Sequence, residues 1–338
     1  MSRERTKPAT VTDVARLAGV SPGTVSKALN GRGQLAAATR ERVMSAAREL
    51  GFNPNLVARG LVSGRTYLVG VLTTDTIGRF TIPLLTGAED VLGPGQMSML
   101  LCESRGDPIR EQHYIRSLLN RRVDGVIVTG RNSDVRPSLG AEVPIPVIYA
   151  LVQSDDPRDT SVLHDDREGA AVAVRHLVET GRRRIAHVTG PGRHAAVKRR
   201  LLGVEDALRA EGVSLIDEPM YGEWSEAWGR EAAFRLDRGG KEFDGVFCAS
   251  DQIARGLVDG LREAGRQVPE EVGVVGMDNW DAMAEAARPP LTTVDLNLSG
   301  LGRTAAELLV AMINGRPIET GHHLVPSSLV KRRSTELS

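Results

Sequence analysis

Residues 10–30 read TVTDVARLAGVSPGTVSKALN, and this stretch decides how the N-terminal part of the chain folds. Thr12 is of a type that caps helices, and apolar residues follow it at helical spacing: Val14, Ala15, Leu17 and Ala18. Gly19 tolerates the left-handed backbone of a tight turn, and Ser21-Pro22 is a second helix start. Two helices joined by a short glycine-containing turn form a helix-turn-helix, whose second helix enters the DNA major groove.

The second helix is predicted over about residues 22–29 and has two different faces. Val25, Ala28 and Leu29 form an apolar face for packing. The first turn and the outer face carry small and polar residues that can approach base edges and phosphates: Pro22, Gly23, Thr24, Ser26 and Lys27. Any small helical domain can contain such an Ala/Gly/Val pattern, so this window alone leaves DNA binding open.

The net charge of the 338-residue chain is zero, but the charge is unevenly distributed. Residues 1–64 hold ten Lys and Arg against four Asp and Glu, a net +6, whereas the remainder holds 33 against 39, a net −6. The basic excess therefore coincides with the helix-turn-helix, as in modules that bind phosphates. A solvated basic tail would show the charge without the helical pattern.

The stretches DVARLAGVSPGTVSKALNGRG and TRERVMSAARELGFNPNLVARGLVSGRT resemble the DNA-binding headpiece and hinge of the lactose-repressor (LacI/GalR) family, almost continuously over residues 11–66. The resemblance implies that Pro22, Gly23 and Lys27 read bases. It also implies that Thr24 and Ser26 contact phosphates. In this part of the chain, the resemblance adds three flanking polar residues to the implied DNA contacts: Thr12, Ser21 and Asn30.

A third helix over residues 39–50 is predicted to close a small three-helix core with four apolar side chains: Val43, Ala46, Ala47 and Leu50. Family members usually place a capping serine just before this helix, whereas this chain has Ala36-Ala37-Ala38. We expect a looser helix start, since such a cap contributes about 1 kcal/mol, but no loss of the fold.

Residues 56–62 are rich in apolar side chains but too few to form a stable helix in water on their own. The resemblance makes this stretch a hinge helix that becomes ordered when two copies pair across the minor groove. It implies that Leu61 enters a base step and kinks the duplex, flanked by Asn55, Ala58 and Arg59. Gly60 replaces the usual Ser or Gln and should raise the entropy cost of ordering. An ordinary linker is the alternative.

From residue 67 apolar strands alternate with helices, which predicts parallel sheets with crossover helices. The similar stretches VDGV at 123–126 and FDGV at 243–246 suggest two similar halves, and a last strand is expected near residues 324–330. Two such lobes place ligand sites at the carboxyl ends of their strands, beside a cleft. The resemblance extends here and implies a periplasmic-binding-protein-like core.

The predicted fold class is thus an all-α helix-turn-helix headpiece with a hinge helix, followed by an α/β two-lobed core with parallel sheets. We expect the headpiece at residues 1–54, the hinge and linker at 55–66, and the core for effector binding and dimerisation at 67–338. Within the core, the first lobe is expected at about 67–161 and 295–322. The second lobe is expected at about 162–294 and 323–338.

Candidate cleft residues follow the predicted strands. By resemblance, Arg200 falls at the effector-binding arginine, Asp278 at the ligand carboxylate, Ser250-Asp251 at a polar pair and Trp224 at an aromatic wall. From the first lobe, four residues are predicted to face the same cleft: Asp75, Phe80, Glu103 and Arg131. Charged groups that bind paired hydroxyls and rings that cover a sugar face suit a small polyhydroxylated ligand.

Several of these cleft residues have plainer alternatives. Asp251 could simply cap the following helix, and Glu103 and Arg131 could be rim residues. Leu151 stands where many sugar-binding members carry an acidic residue, so the identity of the effector stays open.

These features predict an effector-regulated transcriptional repressor. Each protomer of a homodimer would bring one headpiece to a near-palindromic double-stranded operator, and a small effector, a carbohydrate or related metabolite, would bind between the lobes. Whether the effector releases DNA or promotes binding stays open, as do the operator sequence and any oligomer beyond the dimer.

Two other functions compete with this prediction. A solute-binding protein of transport would explain residues 67–338 equally well but not the first 66. A sugar-active enzyme on a Rossmann-like core is the third, but Gly190-Pro191-Gly192 lacks the third glycine of a dinucleotide fingerprint, and no GxSxG, GxxxxGK[ST] or HExxH occurs. The histidines show no metal-ligand spacing, so we expect no catalytic residue, cofactor or metal.

The sequence also predicts where the protein works. No apolar run reaches the roughly 18 residues of a membrane span, and the first ten residues are polar and charged, unlike a secretory signal. Cys102 and Cys248 lie in apolar runs and are expected to be buried free thiols, as in a reducing compartment. We therefore expect a cytoplasmic, nucleoid-associated protein without a membrane partner.

Overall fold

The first helix begins at a capping threonine. In the computed structural model, α1 (Val11–Ala18) has Thr10 at its N-cap. The Thr10 hydroxyl accepts a hydrogen bond from the Asp13 N–H (3.3 Å), and the Asp13 carboxylate accepts one from the Thr10 N–H (3.0 Å). The prediction that Thr12 caps this helix is wrong, because only Thr10 has a carboxylate three residues later to close a capping box. Thr12 lies inside α1 and is exposed.

The structure describes residues 9–29, 34–52, 64–76, 78–95 and 97–336. The chain divides into two compact units, Met1–Tyr67 and Leu68–Ser338. Among the described residues, no helix has both the length and the apolar character that crossing a membrane requires.

The predicted helix-turn-helix is present in the first unit. Gly19 takes the left-handed conformation (φ 65°), and α2 (Pro22–Leu29) follows it, with the Ser21 hydroxyl accepting a hydrogen bond from the Thr24 N–H (3.2 Å). The third helix, α3 (Ala37–Glu49), begins two residues earlier than predicted. Its N-cap residue, Ala36, makes no side-chain cap hydrogen bond, as predicted.

The three helices enclose a small core of short side chains: Val14, Ala15, Ala18, Val25, Ala28, Val43, Ala46 and Ala47. Leu50 was expected in this core but is 37% exposed. The reason is that Leu50 is the C-cap of α3, and Phe52 packs partly against the core instead. Leu17 is also mostly on the surface, 47% exposed.

The second unit alternates strands and helices. Up to residue 164 its elements are β1 (Leu68–Thr73), α4 (Thr81–Leu92), β2 (Ser98–Glu103), α5 (Pro108–Asn120), β3 (Gly125–Val128), β4 (Val135–Arg136), β5 (Val147–Ala150), β6 (Gln153–Ser154) and β7 (Thr160–His164). A 3₁₀ turn lies at Gly140–Glu142. Up to residue 295 they are α6 (Asp166–Glu179), β8 (Ile185–Thr189), α7 (Ala195–Ala210), β9 (Met220–Tyr221), α8 (Glu226–Arg238), β10 (Gly245–Cys248), α9 (Asp251–Glu263), β11 (Gly273–Met277), α10 (Asp281–Ala284) and β12 (Thr292–Asp295). The last elements are α11 (Leu298–Ile313), β13 (Gly321–Val325) and β14 (Ser328–Val330).

Twelve of these strands form two six-stranded sheets of the same design, and β4 and β6 pair in a small separate sheet. The first runs β13-β7-β5-β3-β1-β2 and is parallel throughout. The second runs β14-β12-β11-β10-β8-β9 and is parallel except for β14, which pairs antiparallel with β12. The similar stretches noted in the sequence enter β3 and β10, which occupy equivalent places. The predicted two-lobed fold class is therefore confirmed, and each sheet has a switch point beside its first strand, at β1/β3 and β8/β10.

Two details of the strand prediction are wrong. The last strand, expected near residues 324–330, is two strands in different sheets, because Pro326 lies between them and lacks the N–H that a ladder needs. The strand β7 was not predicted at all. Its sequence TSVLH is short and half polar, although every one of its residues is buried.

The chain crosses between the two sheets three times. It leaves the first sheet after β7, returns to that lobe between β12 and α11, and leaves it again between β13 and β14. The first lobe is therefore assembled from residues on both sides of the second lobe. Each sheet buries apolar side chains on both faces, as parallel sheets do.

Candidate functional site

The helix α2 presents the predicted DNA-contacting side chains on its surface. Five of them are exposed: Ser21, Pro22, Gly23, Ser26 and Lys27. Thr24 is half-buried, and its hydroxyl lies 3.0 Å from that of Ser21. Val25 and Ala28 turn inward, so helix packing and the polar surface occupy separate faces. The remaining predicted contacts, Asn30, Asn55, Ala58, Arg59 and Leu61, lie outside the described residues.

A cavity of about 450 Å³ lies between the two sheets, at the carboxyl ends of their strands. It is lined by Asp75, Thr76, Arg79, Phe80, Arg131, Asn132, Arg193, His194, Ala196, Arg200, Glu223, Trp224, Ser250, Gln252, Asp278 and Trp280. Seven of the nine predicted effector residues are in this set, and the other two, Glu103 and Asp251, are not.

Asp75 follows β1 and organises the loop that leads to α4. Its carboxylate accepts hydrogen bonds from the N–H groups of Gly78 (3.2 Å), Phe80 (2.9 Å) and Thr81 (3.0 Å). The carboxylate thus caps the N-terminus of α4, where the helix dipole favours negative charge. Asp75 positions Phe80 at the cavity wall.

Asp251 lies beneath the cavity floor and is completely buried. Its carboxylate accepts hydrogen bonds from the Thr293 hydroxyl (2.5 Å) and from the Trp280 N–H (2.7 Å). Burial and the nearby Asp278 raise the pKa of Asp251. The cap of α9 is instead Ser250, whose hydroxyl accepts from the Ile253 N–H (3.3 Å). Asp251 therefore ties β12 to the loop that carries Asp278 and Trp280.

Glu103 ends β2, the edge strand on the far side of the switch point. Its carboxylate lies 3.6 Å from Arg105 Nε and does not line the cavity. Side chains after β1 and β3 face the cleft because those strands flank the switch point, whereas β2 lies outside it.

Arg200 is held at the cavity by a buried carboxylate. Its Nε donates to Asp166 (2.7 Å) and its Nη1 to the carbonyl of Ala249 (2.5 Å). Asp166 also pairs with His164 (2.9 Å) and Arg199 (3.1 Å). Burial of Asp166 alone would raise its pKa, but His164 and the two arginines hold that pKa far below its usual range. Sequence reasoning missed Asp166, which is the anchor of the arginine.

Polar contacts of two first-lobe residues, Ser133 and Asp134, connect the lobes beside this anchor. The Arg199 guanidinium donates to the Ser133 hydroxyl of the first lobe (2.6 Å). Asp134, next along that loop, accepts from the Ala195 N–H at the start of α7 (2.8 Å), and its other oxygen lies 2.6 Å from His194 Nδ1.

A further contact crosses the cleft itself. Arg79, from the loop before α4, forms an ion pair with Asp278 of the second lobe, and both side chains are nearly buried. The Arg79 guanidinium also donates to Gln252 (3.0 Å) and lies over the rings of Phe80 (4.7 Å) and Trp280 (4.4 Å). The first lobe thus supplies a cation to the carboxylate predicted to bind the effector.

Trp224 forms the wall near Arg200, whose guanidinium lies 5.9 Å from the indole centre. The indole packs directly on Gly190, where a Cβ atom would come within 2.3–2.5 Å of the ring. Gly190 belongs to the Gly-Pro-Gly stretch that the sequence offered as a weak nucleotide motif. In the structure, this glycine makes room for Trp224.

His187 is a core residue with one satisfied nitrogen. Its Nδ1 lies 3.0 Å from the carbonyl of Phe247, and burial lowers its pKa to about 4. Within the part of the chain that the structure describes, Nε2 has no hydrogen-bond partner. Over the same residues, no cluster of His, Cys, Asp or Glu side chains could hold a metal ion.

The cavity residues that the sequence did not single out lie within a few positions of those that it did. Arg79 lies four residues after Asp75, Asn132 follows Arg131, and Trp280 lies two residues after Asp278. Arg193 and His194 follow the Gly-Pro-Gly stretch at the end of β8. Taking whole strand-end loops as candidates, and not single charged residues, would have found them.

Comparison with protein families matches the two units separately. Residues 10–55 match the family of bacterial regulatory proteins called the lacI family, and residues 174–335 match a periplasmic binding protein-like domain. The first match covers the helix-turn-helix, and the second covers most of the second lobe and the end of the chain.

Individual proteins match over nearly the whole chain. The transcriptional repressor PurR of Aliivibrio fischeri (strain MJ11) is 30% identical over 331 residues, 96% of this chain and 98% of its own length. The transcriptional regulator CelR of Thermobifida fusca is 35% identical over 343 residues, 98% of this chain and 99% of its own.

Solved structures agree with these matches. The lac repressor dimer bound to operator and the anti-inducer ONPF is 28% identical, with a TM-score of 0.74 over 97% of this chain and 99% of that one. A CelR–cellobiose complex is 32% identical, with a TM-score of 0.66 over 96% and 99% of the two chains.

Proposed function

Because the chain belongs to the lacI family of bacterial regulatory proteins, we propose that it is a transcriptional repressor whose operator affinity is set by a small effector bound between its two core lobes. Two copies would bind a near-palindromic duplex, one half-site for each headpiece. The site of action would then be the cytoplasm, at the nucleoid, where operator DNA lies.

The surface of α2 supports DNA binding most directly. A helix-turn-helix in a segment of net charge +6 presents Pro22, Gly23, Ser26 and Lys27 to solvent, with no large side chain to keep the helix out of a major groove. The proposal includes base contacts by Pro22, Gly23 and Lys27. It also includes a hinge at residues 55–66 whose Leu61 enters the DNA as a wedge.

The cavity between the lobes supports control by an effector. Its volume of about 450 Å³ suits a small metabolite, and its walls combine aromatic rings with charged groups, as ligand sites do. The CelR–cellobiose complex favours an effector of the carbohydrate class. Control requires that the effector bind the open and the closed arrangements of the lobes with different affinity.

The lac repressor dimer with operator DNA supports the proposed homodimer on a two-fold site. A solute-binding protein of transport would account for the core alone and leaves the helix-turn-helix unexplained. Members of this family are regulators that bind DNA, and the chain is accordingly not an enzyme.

The direct test is selection of operator sequences. Purified full-length protein would be incubated with a library of random duplexes, with and without a carbohydrate mixture, and the bound DNA sequenced over successive rounds. We expect enrichment of one near-palindromic sequence whose half-sites are related by two-fold symmetry. A bound fraction with no enriched sequence in either condition would overturn the proposal.

A further inference from the structure

The carboxylates around the cavity already have partners within the protein. Asp278 is paired with Arg79, Asp75 caps α4, and Asp251 is bonded to Thr293 and Trp280. Ligand hydroxyls that donate hydrogen bonds would have to compete with these contacts. Among the acidic residues that line the cavity, Glu223 is the exposed one.

Two arginines that line the cavity, in contrast, have no partners of this kind. Arg131, after β3 of the first lobe, and Arg193, after β8 of the second, line the same cavity and are exposed to it. Neither makes an ion pair or a side-chain hydrogen bond with any residue in the described ranges. Two guanidinium groups from different lobes thus line one cavity, and neither is paired with a carboxylate within the described residues.

The N-terminus of α7 adds to this positive end. His194 and Ala196 border the cavity, and α7, a helix of sixteen residues, has no side-chain cap from its own N-cap residue. The Asp134 carboxylate takes the Ala195 N–H and lies 2.6 Å from His194 Nδ1, so it offsets part of this positive charge. Ala196, in the same turn, borders the cavity. Backbone N–H groups and the helix dipole at such a terminus favour an anion.

We propose that the effector carries a negatively charged group, a phosphate or a carboxylate, held between Arg131, Arg193 and the first turn of α7. This inference rests on the proposed function, since it specifies the ligand of the same cavity. The uncharged part of the ligand lies against Trp224 and Arg200. Guanidinium groups bind phosphate and carboxylate in a bidentate manner. The Arg79–Asp278 ion pair lines the cavity away from this anion site.

The test uses pairs of probes that differ only in charge. Full-length protein would be titrated with glucose, glucose 6-phosphate, gluconate and inorganic phosphate at constant ionic strength, by thermal shift and calorimetry. We expect at least one of the charged sugars to bind at least tenfold more tightly than glucose, and inorganic phosphate alone to raise the melting temperature. Preference for glucose 6-phosphate or for gluconate identifies the anion as phosphate or carboxylate.

Three variants locate the anion. Arg131→Gln and Arg193→Gln should each weaken phosphate binding at least tenfold. Arg316→Gln, which changes an exposed arginine remote from the cavity lining, should leave phosphate binding unchanged. Equal binding of glucose and the charged sugars, equal losses in all three variants, or no stabilisation by any anion would each overturn the proposal. None of these readouts involves DNA, so failure of operator selection remains a separate result that bears on the proposed function alone.

Discussion

The helix α2 and the cleft differ in how strongly their functional side chains are bonded to the rest of the protein. The predicted DNA contacts of α2 are exposed side chains that make few contacts with the rest of the protein, whereas most cleft side chains are bonded to one another, often between lobes. A substitution on α2 should therefore change DNA binding and leave folding intact. A substitution of a bonded cleft residue should change stability as well as ligand binding, because such a group also holds the structure. Arg131 and Arg193, which make no such contact, are the exceptions.

The largest effect is expected at Asp166. Asp166→Ala leaves the buried Arg200 and His164 without their carboxylate, which should lower the free energy of unfolding of the core by about 3–5 kcal/mol. All three tryptophans lie in the second unit of the chain. Urea unfolding followed by tryptophan fluorescence therefore measures the unfolding of that unit.

Asp206→Ala is the matched control. Asp206 also pairs with two arginines, Arg167 and Arg209, but at the surface, and its loss should cost less than about 1 kcal/mol. Similar losses in the two variants would show that burial does not set the strength of the cleft contacts.

His187 tests the pH dependence of the buried core. Its pKa is about 4 in the folded protein and about 6.5 in an unfolded chain, so between these values only the unfolded chain binds the proton. This group should therefore make the core less stable as pH falls, by about 2 kcal/mol between pH 8 and pH 5. His187→Gln removes the titration and keeps a donor for the Phe247 carbonyl.

The quantity to compare is the difference in unfolding free energy between wild type and His187→Gln, measured at both pH values. Other titrating groups, Asp251 among them, are common to both proteins and cancel. The difference should shift by about 2 kcal/mol in favour of the variant on acidification. His113→Gln, at an exposed position of α5, should shift little, and a similar shift there would refute the assignment to burial.

On α2, Lys27→Ala should weaken binding to the selected operator about tenfold, the value of one hydrogen bond to a charged group. If Lys27 contacts a phosphate, the dependence of log Kd on log salt should also fall by about one. Fluorescence anisotropy at several salt concentrations measures both, and the melting temperature should not change, since Lys27 is exposed. Lys198→Ala removes an exposed lysine of the core and should affect neither; a loss of operator affinity there would mean that general charge, and not α2, drives binding.

The smallest effect is expected at the start of α3. Ala36 has the extended backbone of an N-cap but no side chain that can accept a hydrogen bond (φ −57°, ψ 138°). Ala36→Ser should stabilise the headpiece by about 0.5–1 kcal/mol, seen as a higher melting temperature of its helices in far-UV circular dichroism. Ala38→Ser, one residue inside the helix start, should give no gain; equal gains would exclude capping as the cause.

The headpiece depends on contacts between residues close in the sequence, whereas the cleft depends on contacts between distant residues. This difference explains why the sequence predicted the headpiece more completely. The helix-turn-helix could be predicted because Gly19, Ser21 and the apolar face of α2 act within a few residues of one another. The Thr10 cap was missed because two threonines, Thr10 and Thr12, stand at the helix start, and only the spacing from Thr10 to Asp13 distinguishes them. The alternation of strands and helices predicted the two-lobed core for the same local reason.

The cleft was predicted less completely because its contacts connect distant residues. The end of a strand pointed to Asp75, and the family resemblance pointed to Arg200 and Asp278, but neither predicted the contacts that these residues make in the protein. Arg79 and Asp278 are 199 positions apart, and no local pattern shows that they meet. Glu103 was included because a strand ends there, and only the order of strands in the sheet reveals that β2 lies beyond the switch point.

The three crossings between the lobes have a consequence for synthesis of the chain. The first sheet gains β13, and its apolar face gains α11, only after residues 165–295 of the second lobe have been made. Until α11 is made, the nascent first lobe exposes apolar surface that side chains such as Leu301 and Leu309 later cover. Chains released early should therefore aggregate or engage chaperones, and this core should mature after translation and not during it.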